Sequence, residues 1–116
     1  MKTITLPPLV DAYVRATNEH DAKAFLALFT EDAVVDDGGR VFHGRDAIGA
    51  LSQSDIFDVN VTGEVRSAEA QGDAVLLVTK VDGDFDRTGL PEVVLISHRI
   101  EMAGDKITKL TCRLAD

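Results

Sequence analysis

The stretch from Ala12 to Ile48, AYVRATNEHDAKAFLALFTEDAVVDDGGRVFHGRDAI, constrains the fold more than any other part of the chain. It holds two amphipathic helical patterns, a β-branched run ending in two aspartates, a Gly-Gly turn and the start of a third helical pattern. Everything after it reads as sheet, so these helices must cover one side of a sheet built mainly by the second half of the chain.

Pro7 and Pro8 suit the first turn of a helix, where the missing N–H has no partner to lose. Helix one is predicted over Leu9 to Glu19, and Leu9, Val10, Tyr13, Val14 and Thr17 share one stripe of it, which turns Tyr13 inward. Asp21 is the N-cap candidate for helix two, Ala22 to Phe29, whose buried face is Phe25, Leu28 and Phe29. Thr30, Glu31 and Asp32 break the helical pattern, and Ala33 to Asp37 then suits a short strand. Alternation places Val35 and Asp37 on one face and Val34 and Asp36 on the other. One aspartate therefore points inward, Asp37, while Asp36 meets solvent or Arg40. Gly38 and Gly39 permit a tight turn, Arg40 to His43 returns as a strand, and helix three runs from Ala47 to Gln53 with Ile48 and Leu51 inward.

Four longer strands follow, over Phe57 to Ala68, Ala74 to Val81, Val93 to Met102 and Ile107 to Leu114, separated by turn signals at Gln71-Gly72-Asp73, Gly83 to Pro91 and Ala103-Gly104-Asp105. Such short connections make neighbouring strands antiparallel. The fold class is α+β: three N-terminal helices on a curved, mostly antiparallel sheet, forming a cone with an internal pocket where helices and sheet diverge. A chain of 116 residues makes a single domain, 1–116, able to bury a core without metal or disulfide.

A formal charge of −8, with 12 Lys and Arg against 20 Asp and Glu and no basic cluster, argues against nucleic acid as a partner. The single cysteine, Cys112, reads as a small buried hydrophobe on a strand. MKTITLPPLV lacks the layout of a signal peptide, and no window approaches the roughly twenty apolar residues of a membrane span, so no membrane and a cytoplasmic location are expected. Asp82, Asp84 and Asp86 alternate like the opening of a calcium loop, but Arg87 stands where that loop needs glycine and Val93 where it needs glutamate. No zinc-site spacing, nucleophile elbow or phosphate-binding glycine loop is present, so no metal and no cofactor is expected. His20 and His43 fall at turn positions, where solvated side chains are the rule.

The order of elements, with Tyr13-Val14-x-Ala16-x-Asn18-x-His20-Asp21, then Phe25-x-x-Leu28-Phe29-x-x-Asp32-Ala33-Val34-Val35-x-Asp37 and Gly44-Arg45-Asp46-Ala47-Ile48, resembles the nuclear transport factor 2-like superfamily, and within it the SnoaL-like and ketosteroid-isomerase-like proteins. The resemblance covers about Leu9 to Leu114 and implies the cystatin-like cone. It also implies roles: Tyr13 falls where the isomerases keep the tyrosine that hydrogen-bonds the substrate's ketone oxygen, and Asp37 where they keep the aspartate that moves the proton. Their protonated late-strand aspartate corresponds by count to Ser97, where this chain has no acid. Alternation instead puts Val94, Ile96, His98, Ile100 and Met102 on the apolar face, which places His98 in the cavity. Count and alternation agree only if a bulge intervenes.

The expected pocket is lined by Tyr13, Phe25, Phe29, Val35, Asp37, Phe42, Ile48 and Leu51, with residues from the late strands. Its expected ligand is a small hydrophobic molecule. With Asp37 as base, Tyr13 as oxyanion donor and His98 assisting, the expected activity is cofactor-free proton movement on a hydrophobic carbonyl substrate, as in ketosteroid isomerases or SnoaL-like polyketide cyclases. The alternative is a ligand-binding or association module without turnover. The resemblance further implies a homodimer through the outer sheet face, here Leu95, Arg99, Thr111 and Arg113.

Overall fold

In a computed structural model, which describes residues 5–115, helices α1 (Pro8–Asn18), α2 (Ala22–Ala27) and α3 (Gly44–Ser52) stand against strands β1 (Phe29–Asp37), β2 (Arg40–His43), β3 (Thr62–Gln71), β4 (Ala74–Asp82), β5 (Val94–Ala103) and β6 (Lys106–Ala115). The strands form one curved sheet in the order β2-β1-β6-β5-β4-β3. All neighbours are antiparallel except β1 and β6, which run parallel. The architecture is the α+β cone, with the helices on the concave face. None of the helices among the described residues is long and apolar enough to cross a membrane.

α1 starts at Pro8 without a side-chain cap, as a proline-initiated helix can, and buries Val10, Tyr13 and Ala16. Asp21 caps α2, its carboxylate accepting from the Ala24 N–H at 3.0 Å. The core is aromatic at its centre. Phe25 lies 5.5 Å from the Tyr13 ring, 5.3 Å from Phe29 and 5.6 Å, edge-on, from Phe57.

Several boundaries differ from the sequence expectation: α3 begins at Gly44 instead of Ala47, and two further differences have a clear tertiary cause. α2 stops at Ala27, and Phe29 opens β1 instead of closing the helix. Tertiary partners for the end of the helix decide this: the Lys106 ammonium donates to the Ala27 carbonyl at 2.7 Å, Ile107 N–H to Leu28 at 2.7 Å, and Arg45 to Phe29 at 2.9 and 2.6 Å. Phe29 is thereby paired beside Ile107, and Thr30 to Asp32 form an irregular part of the strand. Secondly, Phe57 closes a π-helical turn, Gln53–Phe57, that continues α3, and β3 begins only at Thr62. Burying Phe57 against Phe25 favours the wider turn over an earlier strand.

Candidate functional site

Where the helices lift off the sheet, a cavity of about 540 Å³ opens to one end of the cone. Tyr13, Phe25, Val35, Ile48, Leu51, Ile96 and Leu110 are among its walls, with Phe85 and Leu90 of the β4–β5 connection beside it. The wall is mainly apolar in surface, and its polar residues include two linked groups, Tyr13, Thr79 and His98 joined by hydrogen bonds and Asp37, Arg40 and Asp55 joined by ion pairs.

The deepest cluster joins three elements. The Tyr13 hydroxyl from α1 lies 2.9 Å from Nδ1 of His98 on β5, and Oγ1 of Thr79 on β4 lies 2.9 Å from Nε2 of the same ring. Cys112 on β6, the strand partner of His98, brings its Sγ to 3.8 Å from Nδ1. Burial acts on all of these groups. It pushes the His98 imidazole down to about 4, so the ring is neutral at pH 7. The Tyr13 phenol is held well above its usual range, first by burial and then by the neighbouring Cys112 and Asp37. The Cys112 thiol rises to about 12 for the same leading reason, which removes it as a nucleophile at neutral pH. The interior of the site is therefore a set of neutral hydrogen-bonding groups.

His98, and not Ser97, faces the cavity; the Ser97 hydroxyl points to the Arg113 carbonyl on the other face. β5 runs beside β4 without a bulge, from Glu101 opposite Ala74 to Val94 opposite Val81, so alternation alone decides which side chain faces the cavity; the irregularity lies on β6. Met102 pairs with Ile107 but Glu101 with Lys109, leaving Thr108 as an extra residue whose hydroxyl donates to the Glu101 carbonyl at 3.1 Å.

Asp37 ends β1 at the cavity mouth. Arg40 bridges it to Asp55 at 2.9 Å each, and the Asp37 side chain is 36% exposed. The expectation that Asp36 meets solvent or Arg40 is corrected in its partner: Asp36 lies on the outer face, bound by Arg113 at 3.0 and 3.1 Å, which draws its carboxyl below the usual range. The expected lining is also corrected at two positions. Phe29 is fully buried among Phe25 and its strand neighbours, and Phe42 sits on the edge strand β2 beneath Arg40, one strand beyond the cavity floor.

The remaining polar candidates lie outside the cluster. His20 bonds the Val61 carbonyl at 3.1 Å, and His43 is an exposed residue preceding α3. Asp82 pairs with Arg87, Asp84 accepts from Asn60 at 2.8 Å and Asp86 caps the Thr88 N–H at 2.9 Å, so the three do not converge. No group of three potential metal ligands occurs among the described residues. Sequence reasoning missed Thr79 and Asp55. Thr79 could have been found by its odd place in the apolar run Val75 to Val81, where a hydroxyl needs a partner; Asp55 carried no signal, because the π-helical turn sets its direction.

A family model described as the SnoaL-like domain matches residues 10–110. No curated protein matches the chain in sequence. Among solved structures it is similar to a candidate polyketide cyclase from Sinorhizobium meliloti, at 26% identity and a TM-score of 0.83, covering 93% of this chain and 95% of that one. It is also similar to a protein of ketosteroid isomerase-like fold from Catenulispora acidiphila, solved with trimethylamine, at 24% identity and a TM-score of 0.78, covering 94% and 86%. An NTF2-like protein of unknown function from Cytophaga hutchinsonii matches at 18% identity and a TM-score of 0.76, covering 99% and 95%. By the match over most of its length, the chain belongs to the SnoaL-like domain family.

Proposed function

We propose that this protein is a cofactor-free enzyme that moves a proton on a neutral, hydrophobic carbonyl compound. The observation that carries the reading is a buried phenol, Tyr13, backed by neutral His98 in an apolar cavity that has a carboxylate, Asp37, at its mouth. Asp37 removes a proton from the carbon next to the carbonyl, the electron pair moves onto the oxygen, and the Tyr13 hydroxyl stabilises the enolate that forms. Returning the proton at a different carbon gives an isomer; attack of the enolate on a second carbonyl of the same molecule closes a ring. The likeness to a candidate polyketide cyclase supports the second outcome as much as the fold supports the first.

The test is turnover of a β,γ-unsaturated ketosteroid to its conjugated isomer, followed by ultraviolet absorbance. Asp37→Asn is expected to lower kcat by about 100-fold or more, and Tyr13→Phe by about 100-fold. Loss in neither variant overturns the residue roles. No turnover by the wild type excludes steroid isomerisation and leaves ring closure to be assayed with a poly-β-ketone.

A second reading, binding without turnover, draws support from the contact between Asp37 and Arg40: the carboxylate is engaged by a guanidinium at 2.9 Å and has to leave it to reach a substrate. Ligand binding unaffected by Asp37→Asn, together with absent turnover on both substrate types, favours it. Either reading includes a homodimer through the outer sheet face, on which Leu95, Arg99, Thr111 and Arg113 lie opposite the side that carries His98.

A further inference from the structure

The Tyr13, His98 and Thr79 side chains form one chain of two hydrogen bonds, and that chain has a direction. A neutral imidazole carries one N–H and one bare nitrogen, so the three residues hold three polar hydrogens for two contacts. One hydroxyl hydrogen is always left over, and the tautomer of His98 decides which. With the proton on Nε2, the ring donates to Thr79, Tyr13 donates to Nδ1, and the Thr79 hydroxyl hydrogen has no acceptor. With the proton on Nδ1, Thr79 donates to Nε2, the ring donates to the Tyr13 oxygen, and the Tyr13 hydrogen is left over.

The surroundings of the two hydroxyls are unequal. Thr79 is 3% exposed, and its Oγ1 has no other hydrogen-bond partner among the described residues. Its side chain is wedged against Gly63 of β3, where an added Cβ would stand 3.4 Å from Oγ1. The polar backbone atoms of Gly63 are already engaged, its carbonyl accepting from Asn18 Nδ2 at 2.9 Å and its N–H donating to Asn18 Oδ1 at 2.7 Å. A spare hydrogen on Thr79 is thus buried without a partner, the costly case for a polar group. Tyr13 and Thr79 both line the cavity and are 5% and 3% exposed, so it is their other neighbours that differ. The Tyr13 hydroxyl has the Cys112 thiol beside it as a second partner and a ligand oxygen can take its hydrogen, whereas the Thr79 hydroxyl has His98 alone among the described residues. Cys112 Sγ, 3.8 Å from Nδ1, is a weak donor and a weak acceptor and suits both arrangements.

We propose that Thr79 is a positioning residue that fixes His98 as the Nδ1–H tautomer, so that Tyr13 faces the cavity as a hydrogen-bond donor and the site selects ligands bearing an acceptor oxygen at that point. The inference rests on the proposed function only in its choice of site, and specifies the ligand as a neutral ketone-type acceptor and not an alcohol whose hydroxyl must donate. The donor chain from Thr79 through His98 to Tyr13 also aligns its dipoles in one sense, which strengthens the terminal phenol as a donor.

Two readouts test it. Long-range proton–nitrogen NMR of the wild-type protein should show His98 protonated at Nδ1 and bare at Nε2; the reverse pattern overturns the proposal outright. In Thr79→Val and Thr79→Ala the Nε2–H form should gain population, while Thr79→Ser should keep the wild-type pattern. An unchanged tautomer in whichever of the valine and alanine variants folds also overturns it. The second readout is the ratio of the dissociation constants of 2-ethylnaphthalene and 2-acetylnaphthalene, which match in shape and differ in the acceptor oxygen. The wild type should prefer the ketone by about five- to tenfold, the worth of one neutral hydrogen bond. That preference should vanish in Thr79→Val and return in Thr79→Ser; a wild type that does not prefer the ketone refutes the ligand class. Failure of the turnover assay with an Nδ1–H His98 would strike the enzyme reading and leave this inference intact.

Discussion

His98 is the residue whose charge state sets the character of the cavity. Its unfolded imidazole binds a proton near 6.5 and its folded one only near 4, because burial penalises the cation. Between those values the unfolded state holds more protons, so stability rises with pH. The contribution is complete above 6.5 and is lost as the pH falls toward 4, to a total of about 3 kcal/mol. Denaturant unfolding at pH 7, 5.5 and 4.5 measures the slope, and His98→Gln should flatten it by that part. A direct titration of the ring by NMR with a midpoint near 6.5 would contradict the burial argument and, with it, the neutral interior on which the Tyr13 donor depends. Tyr13 and His98 were both legible in sequence as inward positions by periodicity. The bond between them was not, since it joins a helix and a strand residue 85 positions apart, whose meeting depends on how α1 packs on the sheet.

At the scale of elements, the helix stripe, the Gly-Gly turn and the alternation of β4 to β6 could be read from the sequence because each is a local pattern. The extent of β1 could not. Phe29 belongs equally well to a helical face, and only Lys106, Ile107 and Arg45, distant in sequence, make it a strand residue by capturing the carbonyls of Ala27, Leu28 and Phe29. The β4–β5 connection supplies a prediction of its own. Gly83 has φ +152°, and a Cβ there would stand 2.8 Å from the Val59 carbonyl oxygen and 3.1 Å from the Val61 Cα, both backbone. Gly83→Ala must displace the turn before β3 or the start of the connection that carries Phe85 and Leu90 to the cavity. It should cost about 1–3 kcal/mol of stability and weaken ligand binding, whereas Gly72→Ala, with nothing within 4 Å, should cost only the strain of its φ of +64°. Thermal melts of the two variants compare these directly.

For the whole molecule, the two faces of the sheet divide the chemistry: one holds the largely apolar cavity and the other a mixed surface on which Arg113 bonds Asp36 and Arg99 bonds Glu101. A dimer across that outer face should sediment at twice the chain mass at low salt, and Leu95→Glu should return it to single chains without altering the cavity's ketone preference; single chains in the wild type would refute the dimer. Charged pairs that hold such a face in register contribute more to orientation than to affinity. The one parallel pairing in the sheet has a different kind of consequence, in time. β1 cannot gain its central neighbour until β6, paired with it at Phe29 beside Ile107 and again from Val34 beside Lys109 to Asp37 beside Cys112, has been made and has turned back along β5. Closing so long a loop is slow, and contacts of high sequence separation set the folding rate. Tyr13 and His98 stand 85 positions apart, so the bond in the cavity wall depends on the same slow closure, and folding should complete the cavity only once this sheet is made.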